Sequence, residues 1–153
     1  MQISDQILSM RDDCIKIRRD LHRIPEIGFE LHKTHEYIRP ILEDCRPDEL
    51  ITIAQTGFKV VFYAEGAERT IAFRADMDGM RNTEENRLRF RSRHRGVMHG
   101  CGHDGHMTIL LLLAKWISHN RSKLRCNVVL LFQPGASPVK PVSHSTCFQR
   151  AAG

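Results

Sequence analysis

The sequence has no apolar run long enough to cross a membrane. Its longest apolar stretch lies between Ile109 and Ile117 and is interrupted by Lys115, whereas a spanning helix needs about 20 apolar residues. The polar N-terminus does not match a secretory signal. We therefore expect a chain with no membrane partner that works in the cytoplasm.

Cysteine is too scattered in this sequence to form a disulfide framework. The chain has five cysteines, and an odd number cannot pair completely. They are Cys14, Cys45, Cys101, Cys126 and Cys147. This pattern predicts a reducing environment, which agrees with a cytoplasmic location.

Aromatic residues make up only 7% of the sequence, and this scarcity bears on its one strongly basic segment. Arginine recurs at every second position from Arg87 to Arg95, and in a strand these side chains would share one face. The segment has a single aromatic residue, Phe90, so it lacks a platform on which bases could stack. A solvated edge that resists strand pairing is therefore favoured over a nucleic-acid partner.

The length and composition of the chain suit one domain with a core of its own. It has 153 residues, of which 41% are apolar and 27% charged, and these values are ordinary for a globular protein. Apolar periodicity predicts helices and strands along most of the chain. The helices are expected over residues 5–21, 31–44 and 105–119, and the strands over 50–53, 58–63, 70–75 and 126–132.

The last predicted strand indicates how the sheet is built. Residues 126–132 form a nearly continuous apolar run, which is typical of a strand covered on both faces in a parallel sheet. With strand 70–75 and helix 105–119 it would form a right-handed crossover. The predicted fold class is α/β, with a mixed, mostly parallel sheet and flanking helices. From Pro134 onwards the periodicity is lost, which predicts an unstructured tail.

The segment Met98–His106, called here the Cys/His loop, concentrates groups that bind metals. It holds one thiol, three imidazoles, one carboxylate and three glycines. Thiolate sulfur and imidazole nitrogen are ligands of zinc and similar divalent ions. Cys101 and His103 are two residues apart, and in an extended loop this spacing lets both side chains point to one small volume. We expect these two residues to bind a metal where the next helix begins.

Two carboxylates follow strand 70–75. Asp76 and Asp78 lie where the strand ends, and in open α/β sheets functional sites gather at the carboxyl ends of strands. Either residue could instead be a turn aspartate that caps the next element. The same two interpretations, capping residue or site residue, stay open for His22 and Glu26.

Four segments of the chain resemble, in the same order, the amidohydrolase branch of the aminoacylase/carboxypeptidase metallopeptidases. This branch contains hippurate hydrolases, N-acyl-amino-acid amidohydrolases and indoleacetyl-amino-acid hydrolases. The Cys-Gly-His-Asp-Gly-His run of the Cys/His loop is the most specific of the four motifs. The segments are residues 25–30, 73–78, 98–106 and 130–134, and they cover roughly residues 20–134.

The resemblance implies an enzyme that cuts the amide bond of an N-acyl amino acid or short peptide at a two-metal site. Cys101 and His103 would be metal ligands, and Asp78 would orient a ligand or help to bind the cation. Bound zinc or manganese would polarise the amide carbonyl and supply hydroxide near neutral pH. Residues 1–134 would form the N-terminal part of a two-metal aminopeptidase-like catalytic domain, and 135–153 a tail unrelated to the family.

The sequence departs from the family pattern after Pro134. The resemblance implies a pair of glutamates at this point, one of which is the general base, but no Asp or Glu occurs after Asp104. Loss of a positioned general base alone costs about 10²–10⁴ in rate. Two hypotheses follow from this departure. The chain is a metal-dependent amidohydrolase, or it is a truncated, catalytically incompetent fragment that retains at most weak metal binding.

An incomplete sheet would also affect how the chain associates. If strand 126–132 lacked the neighbours that the family implies, its open edge would favour pairing with another chain. We therefore expect a homo-oligomer, in addition to a small-molecule substrate.

Overall fold

The structure is a computed structural model and describes residues 4–135. The helices are α1 (Asp5–Leu8), α2 (Arg11–His22), α3 (His32–Asp44) and α4 (His103–His119), and the strands are β1 (Glu49–Ile53), β2 (Gly57–Phe62), β3 (Thr70–Asp76) and β4 (Asn127–Gln133). A 3-10 turn, Arg121–Lys123, precedes β4. The predicted tail, apart from Gly135, lies outside the described residues.

The four strands form one mixed sheet in the order β1-β2-β4-β3. β3 and β4 are parallel and are connected through α4, which confirms their predicted pairing. The pairings of β1 with β2 and of β2 with β4 are antiparallel. The mixed α/β fold is thus confirmed, although parallel pairing is not in the majority among the described strands. Only residues 54–56 connect β1 to β2, and so short a connection allows only an antiparallel pair.

Strand β4 lies inside the sheet, with β2 on one side and β3 on the other. The expectation that residues 126–132 would lack neighbours is therefore wrong, because β2 runs back antiparallel and occupies the second side. The edge strands among the described residues are β1 and β3. On β3, Ile71 is 48% exposed and Phe73 is 43% exposed.

The core lies between the helices and one face of the sheet. Side chains alternate along a strand, so Phe58, Val60 and Phe62 of β2 share this face. They pack in one buried cluster with residues of all the longer helices and of β4. The cluster includes Leu21, Ile38, Leu42, Leu111, Ile117, Leu130 and Phe132.

The predicted first helix is divided into α1 and α2. The Ser9 hydroxyl donates to the Gln6 carbonyl at 2.8 Å, and the Met10 N–H donates to the Ile7 carbonyl at 3.1 Å. The second bond spans three residues instead of four, which tightens the turn and ends α1. Ile7, in α1, is 54% exposed.

Two other local features differ from what the sequence suggested. A proline inside a helix usually kinks or shortens it, but α3 continues through Pro40 to Asp44, with Ile38 and Leu42 on either side packed in the core. Residues 87–95 form turns, bends and irregular chain instead of a strand, and Phe90 packs against arginines of α2. Among the described helices, none is both long and apolar enough to cross a membrane.

Candidate metal-binding site

The Cys/His loop turns into α4 at Gly102. This residue has a φ of 83°, a left-handed conformation that glycine adopts without the steric penalty of a side chain. The turn leaves Cys101 exposed just before the helix. His103 begins α4, and Asp104 in the same first turn is fully buried.

Backbone contacts hold the Cys/His loop against the segment that follows β3. Met80 and Met98 exchange two hydrogen bonds, at 2.8 and 3.0 Å, and the Gly79 N–H donates to the Glu26 carbonyl at 2.6 Å. A Cβ atom at Gly79 would lie 2.9 Å from the Cβ atom of Pro25, so the close approach of these segments depends on glycine. This packing brings the carboxyl end of β3 to the candidate metal ligands.

Asp78 holds the imidazole of His103. The Nδ1 atom of His103 lies 2.7 Å from the main-chain oxygen of Asp78 and 3.2 Å from its Oδ1 atom. A carbonyl oxygen can only accept a hydrogen bond, so Nδ1 carries the proton. The Nε2 atom of the neutral ring then has the lone pair that a metal ligand needs. Asp78 is only 1% exposed, and its role in orienting a metal ligand stays a prediction.

The predicted site residues surround one small cavity of about 20 Å³. Asp78, Cys101 and His103 line it together with His99, Gly79, Met80 and Gly100. A much larger cavity, of about 840 Å³, lies at the other end of α4 near Lys115. The small cavity is thus where the structure brings the candidate ligands together.

The donor atoms at this cavity have the right chemistry for a metal ion, but there are fewer of them than a metal site usually has. A thiol and an imidazole are good zinc ligands, and a catalytic zinc is usually held by three protein ligands. Within residues 4–135, no group of three or more His, Cys, Asp or Glu side chains is arranged to hold a metal ion. Cys101 and His103 would therefore form half of a metal site, in which the thiolate and Nε2 are the donors.

His99 is a site residue that sequence reasoning counted among the imidazoles of the loop but did not assign. It is 5% exposed, and burial lowers the pKa of its ring to about 4. Both of its ring nitrogens lack a hydrogen-bond partner within the described part of the chain. No pattern in the sequence signals this burial, because a glycine-rich loop is usually exposed.

His22 and Asp104 form a buried pair behind the site. The Nδ1 atom of His22 lies 2.6 Å from Asp104 Oδ2, and its Nε2 atom lies 3.2 Å from Glu84 Oε1. The Arg18 guanidinium also reaches Asp104 Oδ2, at 3.0 Å. Burial raises the pKa of Glu84, but hydrogen bonds from the Ser92 N–H and from His22 lower it to below its ordinary value. His22 thus ties α2 to the first turn of α4.

The other polar residues that the sequence left open have structural positions. Glu26 caps α3, since its carboxylate accepts hydrogen bonds from the N–H groups of Lys33 and Thr34 at 3.1 and 2.9 Å. Asp76 pairs with Arg74 at 2.9 Å and is not among the residues that line the small cavity. Both contacts stabilise the local structure of the chain.

The sheet and the crossover helix define an α/β domain, and the Cys/His pair between β3 and α4 offers two candidate metal ligands. Residues 72–135 match the sequence pattern of a family described as "Peptidase family M20/M25/M40". Over these residues the chain is similar to this family, and it resembles the amidohydrolase branch.

Two relatives with similar sequences carry the same name. The chain is 40% identical over 144 residues to an N-acetyldiaminopimelate deacetylase of Halalkalibacterium halodurans, an alignment that covers 92% of this chain and 38% of the relative. It is 43% identical over 125 residues to the N-acetyldiaminopimelate deacetylase of Streptococcus uberis, covering 80% of this chain and 33% of the relative. The chain thus spans less than half the length of these curated relatives.

A solved structure supports the same relationship. The chain resembles a dinuclear metal-binding peptidase of the M20 family from Bacillus subtilis, with a TM-score of 0.78 and 32% identity. The match covers 86% of this chain and 36% of that structure. The fold is therefore that of the corresponding part of an M20 peptidase.

Proposed function

We propose that this chain provides the Cys101 and His103 ligands of a two-metal centre in a deacylase of N-acyl amino acids. The observation that carries the proposal is the cavity at which Cys101 and His103 meet, with the His103 ring oriented by Asp78. The relatives named N-acetyldiaminopimelate deacetylase support an acetylated amino acid as the first substrate to test. We propose a cytoplasmic location and a homo-oligomeric state for the protein.

The reaction is hydrolysis of an amide. Water adds to the acyl carbon, the C–N bond breaks, and the nitrogen takes up a proton, so that a carboxylate and a free amine are released. Zinc or manganese, when bound, would polarise the carbonyl and lower the pKa of a bound water. In this reaction Asp78 would hold the imidazole of His103 so that its Nε2 lone pair is free. The Cys/His loop would place the Cys101 thiolate at the same cavity.

A second candidate function applies to the 153 residues taken alone, namely metal binding without turnover. It is favoured by the absence of any carboxylate after Asp104 in the sequence and of a third metal donor among residues 4–135. A two-ligand site without a general base should bind metal weakly and should leave the amide intact.

A metal titration tests both candidates. Zn²⁺ and Mn²⁺ are titrated into the full chain, into Cys101→Ala and His103→Ala, and into the matched controls Cys126→Ala and His119→Ala. We expect the wild type and the controls to bind metal, and the two site variants to lose this binding. Metal binding that is equal in all five proteins would contradict the proposed ligands.

Turnover then separates the two functions. Acetate release from N-acetyldiaminopimelate is measured with and without a chelator. Release that is abolished by the chelator and by Cys101→Ala would establish the deacylase. Stoichiometric metal without any acetate release would establish metal binding alone.

A further inference from the structure

The loop of residues 81–97 holds most of the net positive charge of the chain. Its six arginines and two glutamates give it a formal charge of +4, compared with +5 for all 153 residues. We call this segment the arginine loop. Its arginines are Arg81, Arg87, Arg89, Arg91, Arg93 and Arg95, and all six are exposed.

The charges of the arginine loop are not neutralised within residues 4–135. None of its six guanidinium groups forms an ion pair or a side-chain hydrogen bond with another described residue. The nearby arginines of α2 differ, because Arg18 pairs with Asp104 and Arg23 pairs with Asp20. Glu84, an acid of the loop itself, is directed inwards to His22. The loop therefore presents a concentrated positive field to solvent.

Contacts with α2 give the arginine loop a defined position. The ring of Phe90 is contacted by the guanidinium groups of Arg18 and Arg19, at 5.4 and 5.0 Å from its centroid. The Arg93 N–H donates to the Arg23 carbonyl at 2.9 Å. Because Phe90 is occupied by these contacts, it is not available to stack on a base. This argues against nucleic acid as the partner of the loop.

The arginine loop begins and ends beside the candidate metal site. Its two ends meet at the backbone pair between Met80 and Met98. Met80 also lines the small cavity with Cys101 and His103. A ligand that approaches this cavity therefore comes close to the base of the arginine loop.

We propose that the arginine loop selects N-acyl amino acids that carry a second carboxylate. Guanidinium groups bind carboxylates through paired N–H donors, and a local excess of positive charge draws anions towards a neighbouring site. This inference rests on the proposed function, whose first test substrate, N-acetyldiaminopimelate, is itself an N-acyl amino acid with a second carboxylate. It adds the residues that distinguish a doubly charged substrate from a singly charged one.

Two ligands that differ in one charge test this proposal. N-acetyl-L-glutamate and N-acetyl-L-glutamine have nearly the same shape, but only the first has a side-chain carboxylate. Their affinities for the full chain are measured by titration calorimetry or by NMR. We expect the glutamate derivative to bind about threefold to tenfold more tightly at low salt. This preference should disappear at about 0.3 M NaCl, where screening is strong.

Two matched double variants test whether the arginine loop causes the preference for N-acetyl-L-glutamate. Arg89→Gln/Arg91→Gln removes two charges from the arginine loop. Arg69→Gln/Arg125→Gln removes two exposed charges near the start of β3 and of β4, at the opposite end of these strands from the site. We expect the first variant to lose most of the preference and the second to keep it. Circular dichroism and thermal melting confirm that both variants are folded.

The metal titration keeps this inference separate from the proposed function. Arg89→Gln/Arg91→Gln should bind as much Zn²⁺ as the wild type, and Cys101→Ala should retain the preference for the glutamate derivative. Equal affinities for the two ligands in the wild type, including no measurable binding of either, would overturn the inference. An equal loss of preference in the two double variants would also overturn it, because the effect would then reflect net charge alone.

Discussion

The Nδ1 atom of His22 lies 2.6 Å from the Oδ2 atom of Asp104, and these residues are 82 positions apart in the chain. The contact joins the last turn of α2 to the first turn of α4, one residue after His103. Both side chains are almost completely buried, with exposed fractions of 5% and 0%. The pair therefore fixes where α4 starts, and with it the position of one candidate metal ligand.

Replacement of His22 by alanine should destabilise the protein. The change leaves the buried Asp104 carboxylate with one hydrogen-bond partner fewer, and an unsatisfied buried polar group costs about 1–3 kcal/mol, or more where that group is charged. Arg18 still contacts Asp104, so we expect the lower end of this range. The measurement is the free energy of unfolding in urea. The exposed His32 provides the control, and equal losses for His22→Ala and His32→Ala would contradict the role of the pair.

The elements with a clear apolar period could be predicted from the sequence, and those fixed by long-range packing could not. Helix α4 was expected over 105–119 and is observed over His103–His119, because its apolar side chains recur with the helical period. The position of β4 inside the sheet depends on β2, a strand far away in the chain. No pattern in the local sequence predicts that β2 and β4 pair.

The candidate site shows the same division between local and distant information. Cys101, His103 and Asp78 were identified from motifs, and all three line one cavity. The burial of His99 and the pairing of His22 with Asp104 became visible only in the structure. They result from the way in which α2, α4 and the arginine loop pack, which is decided by contacts between distant parts of the chain.

Two neighbouring residues of α4 should differ greatly in what they contribute to stability. Leu111 is fully buried, and Ile109 is 62% exposed. Leu111→Ala leaves a cavity in the core and should lower the free energy of unfolding by about 2–5 kcal/mol. Ile109→Ala should change it by about 0.5 kcal/mol or less. Urea unfolding of both variants checks this, and similar losses would mean that α4 does not pack on the sheet through Leu111.

Alanine at two glycines near the site should have opposite effects. A Cβ atom at Gly79 would lie 2.9 Å from Pro25 Cβ and 3.0 Å from the Met98 carbonyl oxygen, whereas a Cβ atom at Gly105 meets nothing within 4 Å. Gly79→Ala should therefore cost about 1–3 kcal/mol through overpacking. Gly105→Ala should stabilise α4 by up to about 1 kcal/mol, because alanine is the better helix former. Thermal melting of both variants shows whether each is less or more stable than the wild type.

The contact between Asp48 and Arg121 should make stability depend on pH. Burial raises the pKa of Asp48, but hydrogen bonds from Arg121 and from the Tyr63 N–H outweigh it and hold the pKa below the ordinary value of 3.8. A lowered pKa in the folded state stabilises the protein above the unfolded value, and this contribution is lost as the pH falls through the folded value. Asp48→Asn should therefore be less stable than the wild type at neutral pH.

The same comparison in acid provides the check on Asp48. The difference in free energy of unfolding between the wild type and Asp48→Asn should shrink as the pH falls below 3.8. Glu68 is exposed, and Glu68→Gln should give no comparable difference between neutral and acid pH. A gap between wild type and Asp48→Asn that stays constant down to acid pH would show that the contact with Arg121 has no electrostatic effect on stability.

Thiol alkylation should distinguish Cys101 from Cys45. Cys101 is exposed, whereas Cys45 is 2% exposed and its thiol donates to the Ile41 carbonyl. Burial also raises the pKa of Cys45 to about 11, so little of the reactive thiolate is present at neutral pH. Iodoacetamide should therefore modify Cys101 well before Cys45, and peptide mass spectrometry reads both rates. Zn²⁺ should slow only the reaction of Cys101 if its thiolate is a metal ligand. Equal rates for the two thiols in the folded chain would contradict the burial of Cys45, and an unchanged rate at Cys101 with Zn²⁺ would contradict its proposed role as a ligand.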